Sequence, residues 1–600
     1  MARIEDYALI GDLQTAALVE RGGSVDWLCF PRFDSSSCFA ALLGEPDHGR
    51  WLLAPVGDAT SSRKYLHYTL VLETTWETPD GTVRVVDFMP PRGKAPDIVR
   101  IVEGVEGSVR MRSELVIRFD YGHVVPWVRH VGDARLAVAG PDALVFRTPA
   151  PSRGEHMQTV SEITVEEGER IPFVLTWYPS HEDPPERIDP EVALAETEAF
   201  WREWNERSKL DFPDEWRDVI QRSLMVLKAL TYAPTGGIVA APTTSLPEHI
   251  GGVRNWDYRY CWLRDATLTL LALLNADYKE EARAWRQWLL RAVAGDPADI
   301  QIMYGVGGQR RLPELELPWL PGYEGSAPVR IGNAASEQLQ VDVFGEVMDA
   351  LYQARVHGLA KEQPAWALQR ALLAHLERIW REPDEGIWEI RGDRRHFVHS
   401  KVMAWVAFDR AVRTVEEHGL DGPVDRWRKL RAQIHAEVCE RGFDESLGSF
   451  VQSYGSKDVD ASLLLIPLVG FLPADDARVR GTIEAVEREL LRDGLLLRYR
   501  THEQVDGLPP GEGVFLPCSF WLVDCYELLG RHDDAHALFD RLVGLANDVG
   551  LLAEEYDPAA KRQLGNFPQA FTHLALVNSA FNVLPHLPSP MHRRHAQPQR

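Results

Sequence analysis

The sequence lacks the features of several protein classes. Its six cysteines include no Cys-x-x-Cys pair, which fits reduced, buried thiols better than a disulfide framework or a zinc site, so we predict no structural metal. Acidic residues outnumber basic ones by 89 to 65, a net charge of 65 − 89 = −24. Because no basic stripe interrupts this acidity, nucleic acid and anionic membranes are poor candidates for partners.

Two kinds of apolar segment are also missing. The start, Met-Ala-Arg-Ile-Glu-Asp-Tyr, lacks the apolar stretch of a secretion signal, and no uninterrupted apolar run is long enough to span a bilayer. We therefore expect a cytoplasmic protein with no membrane partner. The oligomeric state stays open, a homo-oligomer included.

The first third of the chain has the pattern of an all-β domain. Apolar and polar residues alternate over residues 82–88, 109–119 and 171–177, with Gly, Pro and Asp turns between them. This period is typical of antiparallel strands. We predict a β-sandwich over residues 1–185, followed by a linker helix within residues 186–211.

The rest of the chain has the pattern of a helical domain, predicted over residues 212–587, with a disordered tail at 588–600. Its connections alternate: short after even-numbered helices, and about fifteen to forty residues after odd-numbered ones. Long connections therefore cluster at one end, where loops carry function. The predicted helices are 212–232, 263–275, 279–294, 336–357, 362–380, 398–417, 422–440, 457–468, 473–492, 516–529, 533–546 and 569–583.

The helix faces give a second, independent signal. Odd helices, such as those containing residues 279–286 and 424–431, are charged and amphipathic, whereas even helices are apolar nearly all round at 266–274, 402–408 and 462–469. Six inner and six outer helices predict an (α/α)6 double-layered barrel, so the fold class is multidomain, all-β followed by all-α. The alternative is an irregular helical domain or a solenoid, but we find no repeat.

The first long connection is dense in aromatic and charged residues. Residues 254–265 read RNWDYRYCWLRD, and such rings stack on sugars while charged groups bind hydroxyls. The alternative is that Asp265 caps the next helix and that Arg264 pairs with a neighbour.

Carboxylates on two further long connections suggest glycosidic bond cleavage. Glu389 lies in the third, and Glu554 and Glu555 lie in the last. Cleavage needs two opposed carboxylates, one a protonated acid and one an ionised base or nucleophile. Acidic loop residues are otherwise mostly solvated, and the pattern alone does not choose between Glu554 and Glu555.

These motifs carry a family resemblance over nearly the whole chain. The run from Tyr7 (YALIGDLQTAALVERGGSVDWLCFPRFDS) resembles the trehalase-like N-terminal domain of bacterial members of glycoside hydrolase family 15, the glucoamylase and trehalase-like family. The run from Pro321 (PGYEGSAPVRIGNAASEQLQVDVFGEVMDAL) is similar to the same members. The Trp-Leu-Arg-Asp, Trp-Glu and Glu-Glu-Tyr-Asp segments agree.

The resemblance implies two catalytic roles. Glu389, directly after Trp388, matches the general acid, and Glu554, three residues before Asp557, matches the general base. Members of the family invert the anomeric centre, which implies carboxyl groups roughly 6.5–9.5 Å apart. The acid must stay protonated near neutral pH and Glu554 must stay ionised. Trp388 is expected to supply part of the dry wall beside the acid.

Further residues are expected to bind the substrate. Arg264 and Asp265 match the pair that grips the non-reducing glucose, and Tyr258 and Trp262 match rings beside it. The longest connection is expected either to shape the leaving-group subsite or to be a plain surface loop, and its residues to weigh are Arg310, Arg311, Glu314, Glu316, Trp319 and Tyr323. His399 and Lys401, at the start of an inner helix, are expected to face the pocket, with solvent the alternative for Lys401, because a lysine at a helix start is more often solvated.

The expected substrate is a small α-glucoside. The trehalase-like N-terminal match and the absence of a starch-binding module favour trehalose, while isomaltose-type α-1,6 glucosides and maltooligosaccharides stay open. No cofactor is needed, since two glutamates and a water suffice. Two other classes remain: an inverting sugar phosphorylase, in which phosphate replaces the water, and a non-catalytic sugar-binding protein.

Overall fold

The computed structural model describes residues 2–208, 212–359, 363–501 and 506–584. The tail predicted at 588–600 lies outside the described residues. Strands dominate the N-terminal region and helices dominate the region that follows. Within the described ranges, no helix is both long and apolar enough to cross a membrane.

The N-terminal region is one large antiparallel sheet system. The long strand β9 joins its parts, because residues 97–107 pair with β8 and β15 whereas residues 108–116 pair with β5 and β14. The strands found in residues 2–208 are β1 Tyr7–Gly11, β2 Ala16–Glu20, β3 Ser24–Cys29, β4 Ser37–Phe39, β5 Arg50–Pro55, β6 Thr60–Tyr65, β7 Leu72–Thr78, β8 Gly81–Phe88, β9 Asp97–Val116, β10 Trp127–Val131, β11 Ala134–Ala139, β12 Asp142–Arg147, β13 Ser152–Glu155, β14 Gln158–Glu166 and β15 Arg170–Pro179.

A connecting helix, α1 (Pro190–Glu206), precedes the helical region. Asp189 caps it by accepting from the Glu191 and Val192 N–H groups. The helices that follow within the described residues are α2 Asp214–Ala229, α3 Ala266–Asn275, α4 Lys279–Ala292, α5 Asp342–Val356, α6 Gln363–Ile379, α7 Val398–His418, α8 Val424–Arg441, α9 Leu465–Leu468, α10 Ala477–Leu490, α11 Leu516–Leu528, α12 His532–Val543 and α13 Ala570–Val583.

Two helices depart furthest from their predicted bounds. The predicted helix 457–468 is a 3₁₀ turn, Ala461–Leu464, followed by the single turn α9. Asp460 caps the turn at the Ser462 N–H, and Pro467 lacks an N–H for a regular helix. The predicted helix 336–357 begins six residues later as α5, because a separate 3₁₀ turn occupies Ala334–Glu337.

The helices pack in a closed series of contacts. Helix α3 contacts α5, α5 contacts α7, and α7 and α11 both contact the segment Ala461–Leu468; α11 contacts α13, which returns to α3. The first half of α7 and all of α13 are buried, whereas α8 buries only Trp427, Ile434 and Val438 among its residues. Each of α2, α4, α6, α8, α10 and α12 contacts at least one member of this series.

The N-terminal region anchors the connection between α2 and α3. Arg259, in the middle of that connection, is fully buried and donates to the Ser35 carbonyl at 2.8 Å and to the Tyr121 hydroxyl at 2.9 Å. It also pairs with Asp257, at 2.7 Å. Trp27 Nε1 donates to the Pro242 carbonyl at 2.8 Å. The two regions thus share contacts that fix the aromatic connection.

Candidate active site

A pocket lies where the long connections meet. The residues that line it come chiefly from three of them: Glu248, Arg254, Trp256, Tyr258 and Arg264 before α3; Ile387, Trp388, Glu389, Ile390 and Arg391 before α7; and Arg498, Tyr499, Asp506, Leu508 and Phe515 before α11. The alternation of short and long connections predicted this convergence.

Glu389 stands at a tight turn with a left-handed backbone. Its φ is +57° and that of Gly386 is +67°; for a residue with a Cβ this costs about 1–2 kcal/mol. A Cβ on Gly386 would lie 2.6 Å from the Phe397 ring, so this position needs glycine. Oε1 of Glu389 accepts from Trp262 Nε1 at 2.7 Å and from Arg264 Nη1 at 3.0 Å. The turn therefore aims the carboxylate at the connection before α3.

Glu554 is fully buried behind the pocket wall. Its Oε1 accepts from the Tyr258 hydroxyl at 2.6 Å, and its Oε2 accepts from the Asn566 N–H at 3.2 Å. A Cβ on Gly565 would lie 2.6 Å from Oε2, so glycine leaves the room that this carboxylate occupies. Both carboxylate oxygens are therefore held by donors.

The electrostatics of Glu554 differ from the expectation that it stays ionised near neutral pH. Burial and the nearby charge of Glu248 raise the pKa of Glu554 to about 8, although the donors Tyr258 and Asn566 and the charge of Arg498 oppose the rise. Burial is the larger of the two causes, and the second is the buried carboxylate of Glu248, which the sequence analysis did not place beside Glu554. Burial also raises the pKa of Tyr258, so its hydroxyl remains a donor.

Two aromatic rings link the pair of glutamates. Trp262 donates to Glu389 and Tyr258 donates to Glu554, and the two rings pack edge to face with centroids 5.2 Å apart. The carboxyl separation of roughly 6.5–9.5 Å stays a prediction. The neighbour Glu555 instead accepts from the Gly513 N–H at 2.8 Å.

Arg264 and Asp265 lie beside Glu389. Arg264 donates to the Ile387 carbonyl at 2.8 Å and lies 3.4 Å from the Asp265 carboxylate. Asp265 occupies the N-cap position of α3 but makes no capping hydrogen bond. Burial raises the pKa of Asp265 to about 6, and Arg264 opposes the rise. The capping alternative therefore fails for Asp265, whereas Arg264 does pair with its neighbours.

A buried network of ion pairs around Arg498 lies next to the pocket and close to Glu554. Arg498 contacts Glu248 at 2.8 Å, Glu512 at 2.7 Å and Glu555 at 3.4 Å. Oxygens of these three carboxylates lie within 4.8 Å of one another, a spacing that suits a cation. The guanidinium of Arg498 already supplies positive charge at this point.

Trp388 forms a wall of the pocket. It is 9% exposed, its Nε1 donates to Asp460 at 2.7 Å, and its ring packs against Phe515 and Trp521. The structure thus agrees with an apolar wall next to Glu389.

The structure locates Trp319 and Tyr323 outside the residues that line this pocket, in contrast to the expectation that they bind substrate. Trp319 Nε1 donates to the Tyr121 carbonyl at 2.9 Å, and the Tyr323 hydroxyl donates to the Ala2 carbonyl at 2.8 Å. Their aromatic surfaces therefore serve the contact between the N-terminal and helical regions. The sequence did not predict this contact, because it does not show which residues of the N-terminal and helical regions meet.

Three other residues considered in the sequence analysis can also be located in the structure. Arg310 donates to the Asp299 carbonyl at 2.6 Å, away from the pocket residues. His399 is buried, and burial together with the charge of Arg264 lowers its pKa to about 3. Lys401 is buried as well, with Nζ donating to the Glu382 carbonyl at 2.5 Å, so the solvent-facing alternative is wrong for Lys401.

Several pocket residues were not singled out by sequence reasoning. Arg254 and Trp256 lie in the aromatic connection of residues 254–265, and Arg391 follows Glu389 by two residues. Their closeness to these motifs could have identified them from the sequence. Glu248 and Arg498 carried no such signal, because their meeting depends on how separate connections converge.

Two family models and several relatives match this chain. The model of "Glycosyl hydrolases family 15" matches residues 215–581, and that of "Trehalase-like, N-terminal" matches residues 1–190. The chain is 40% identical to a trehalase of Mycobacterium tuberculosis, over 97% of this chain and 89% of the relative. It is 33% identical to a trehalase of Thermoplasma volcanium, over 96% and 93%.

A solved structure supports the fold. A bacterial glucoamylase complexed with acarbose superposes with a TM-score of 0.75 at 12% identity, covering 99% of this chain and 96% of that one. At this identity the likeness concerns the fold alone. The family match over most of the helical region and the full-length relatives together show that the chain belongs to the glycosyl hydrolases family 15.

Proposed function

We propose that this glycoside hydrolase cleaves α,α-trehalose with inversion, Glu389 acting as general acid and Glu554 as general base. The observation that carries the proposal is that Glu389 lines the pocket while Glu554 lies buried beside it, hydrogen-bonded to the pocket residue Tyr258. The rings of Trp262 and Tyr258, which donate to the two glutamates, contact each other. The trehalase names of the relatives give the substrate.

The proposed fold is an (α/α)6 barrel behind a β-sandwich. The closed series of contacts among the inner helices supports the barrel, and the switch of pairing partners along β9 supports two sheets in the N-terminal region. We propose domain limits of 1–185 for the sandwich, 186–211 for the linker helix and 212–587 for the barrel.

Five residues are proposed to bind the glucose that is attacked. The charged pair offers donors and an acceptor for hydroxyls, and the rings offer apolar faces. They are Arg264, Asp265, Tyr258, Trp262 and Trp388. Trp319 and Tyr323 are left out, because their side chains are engaged with the N-terminal region.

In the proposed reaction Glu389 gives up one proton and Glu554 takes up one proton. Glu389 gives its proton to the glycosidic oxygen as the bond to the anomeric carbon breaks. Water attacks that carbon from the opposite face and passes a proton to Glu554, which must be ionised at that moment. One glucose leaves in the β form and the other keeps its α anomeric centre. The tyrosine and amide donors on Glu554 stabilise its charged form.

Carboxamide variants test the two roles. Glu389→Gln and Glu554→Gln should each fold, with thermal midpoints near that of the parent, and lose about 10²–10⁴-fold in turnover of trehalose. Glu385→Gln, on the same connection as Glu389 and paired with Arg394 at 2.9 Å, is the matched control and should keep its activity. Near-normal turnover in either site variant would remove that glutamate from the mechanism.

The same assay separates hydrolase from phosphorylase. Glucose release should not depend on added phosphate, because Glu554 supplies the base that a phosphorylase does not require. Phosphate-dependent formation of glucose 1-phosphate would overturn the hydrolytic assignment.

A further inference from the structure

We infer that Arg391 binds the leaving sugar and thereby determines which glucoside is cleaved. This inference rests on the proposed function, because it takes Glu389 as the general acid. It assigns to the pocket a second subsite for a neutral hexose, which the acid and base residues alone do not define.

The position of Arg391 follows from its place in the chain. It comes two residues after Glu389, and both line the same pocket. The acid must lie beside the leaving oxygen, so a pocket residue carried on the same turn lies on the leaving-group side. Gln338 Nε2 donates to the carbonyls of Glu389 at 3.2 Å and Ile390 at 3.0 Å, and the Arg391 N–H donates to the Asp506 carbonyl at 2.7 Å. The turn is therefore braced on both sides.

Neighbouring side chains position the guanidinium of Arg391 without occupying all of its N–H donors. It lies over the Trp256 ring, 4.7 Å from the ring centroid, and its Nη2 contacts Glu314 at 3.2 Å. Trp256 is itself oriented by Glu248, which accepts from its Nε1 at 3.1 Å. An arginine has five N–H donors, and the hydrogen bond that the Arg391 side chain makes to Glu314 occupies only Nη2. A stacked guanidinium with spare donors suits hydroxyl oxygens of a neutral sugar.

A second arginine lies at this side of the pocket. Arg254 is 3% exposed, lines the pocket and pairs with Asp506 at 2.6 Å. Its buried Nε has no hydrogen-bond partner among the described residues. The carboxylate of Asp506 pairs with Arg254 and that of Glu314 pairs with Arg391, so the two arginines give this side of the pocket donors without a large net charge.

The chain contains a matched control for Arg391. Arg330 also lies 4.7 Å from the Trp256 centroid and is also near Glu314, at 3.7 Å, but it is not among the residues that line the pocket. Changing Arg330 therefore disturbs the same ring and the same carboxylate without removing donors from the pocket.

Two substrates isolate the leaving-sugar contact. Trehalose has a glucose as leaving group, whereas α-glucosyl fluoride has none. For Arg391→Met we expect kcat/KM for trehalose to fall about ten- to a hundredfold, the loss of a charged hydrogen bond, while kcat/KM for α-glucosyl fluoride changes less than threefold. Arg391→Lys should lose less than Arg391→Met. Arg330→Met should leave the ratio of the two kcat/KM values unchanged.

The outcomes distinguish this inference from the proposed function. If the parent enzyme cleaves neither substrate, the proposed function fails. If the parent cleaves both and Arg391→Met lowers both equally, Arg391 acts on Glu389 or on the fold and the inference is overturned. An equal shift of the substrate ratio in Arg330→Met would also overturn it, because the effect would then come from the Trp256 ring.

Discussion

Removing the Tyr258 hydroxyl should move the acidic limb of the activity profile. The hydroxyl donates to the fully buried carboxylate of Glu554 at 2.6 Å, and a hydrogen bond to a charged group contributes about 1.5–3 kcal/mol. At about 1.4 kcal/mol per pH unit, Tyr258→Phe should raise the pKa of Glu554 by about one to two units. Burial and Glu248 already raise that pKa.

The sign of the effect follows from the role of the base. Glu554 acts when ionised, so kcat/KM for trehalose rises with pH through the pKa of Glu554 in the free enzyme. In the parent this limb should lie above the ordinary glutamate range. In Tyr258→Phe it should lie about one to two units higher still, which lowers kcat/KM about ten- to a hundredfold on the acidic side.

The assay is kcat/KM for trehalose from pH 4 to 9, with thermal melts to verify folding. Tyr526→Phe is the matched control: its hydroxyl donates to Glu487 at the same 2.6 Å, on α11 and away from the pocket residues. Its profile should equal that of the parent. Coincident profiles for the parent and Tyr258→Phe would refute the reasoning that this hydrogen bond sets the ionisation of Glu554.

Two further changes test the supports of the site. Because Glu389 has a φ of +57°, Glu389→Gly should be about 0.5–1 kcal/mol more stable than Glu389→Ala in urea unfolding; equal stability would argue against backbone strain. Arg498→Met removes the cation shared by Glu248, Glu512 and Glu555 and should cost about 3–5 kcal/mol. Arg498 opposes the burial that raises the pKa of Glu248 and of Glu555. In the variant their folded pKa values rise further above the unfolded ones, so stability should fall as pH rises above about 4.3. A pH-independent loss would contradict this account.

Periodicity and connection length predicted much of the helical region. The apolar inner helices, such as α11 and α13, and the short connections between paired helices follow from local patterns, which is why their bounds agree with the structure within a few residues. The segment Ala461–Leu468 departs because a cap at Asp460 and a proline shorten it, and both act more locally than the hydrophobic period.

The sequence predicted the site residues only where they lie in short recognisable motifs. Glu389, Arg264 and Trp262 sit in recognisable segments and do meet. The burial of Glu554 and its proximity to Glu248, which together raise the pKa of Glu554, depend on connections far apart in the chain. The same limit applied to Trp319, whose partner lies in the N-terminal region.

Proton NMR of glucose anomers tests the central claim most directly. The protein is mixed with trehalose, and the α and β signals are followed in the first minutes, before mutarotation interconverts the two anomers of the released glucose. The account predicts equal amounts of new α- and β-glucose, since one anomeric centre inverts and the other is untouched. Release of α-glucose alone would contradict inversion, and the absence of any glucose would contradict trehalose as the substrate.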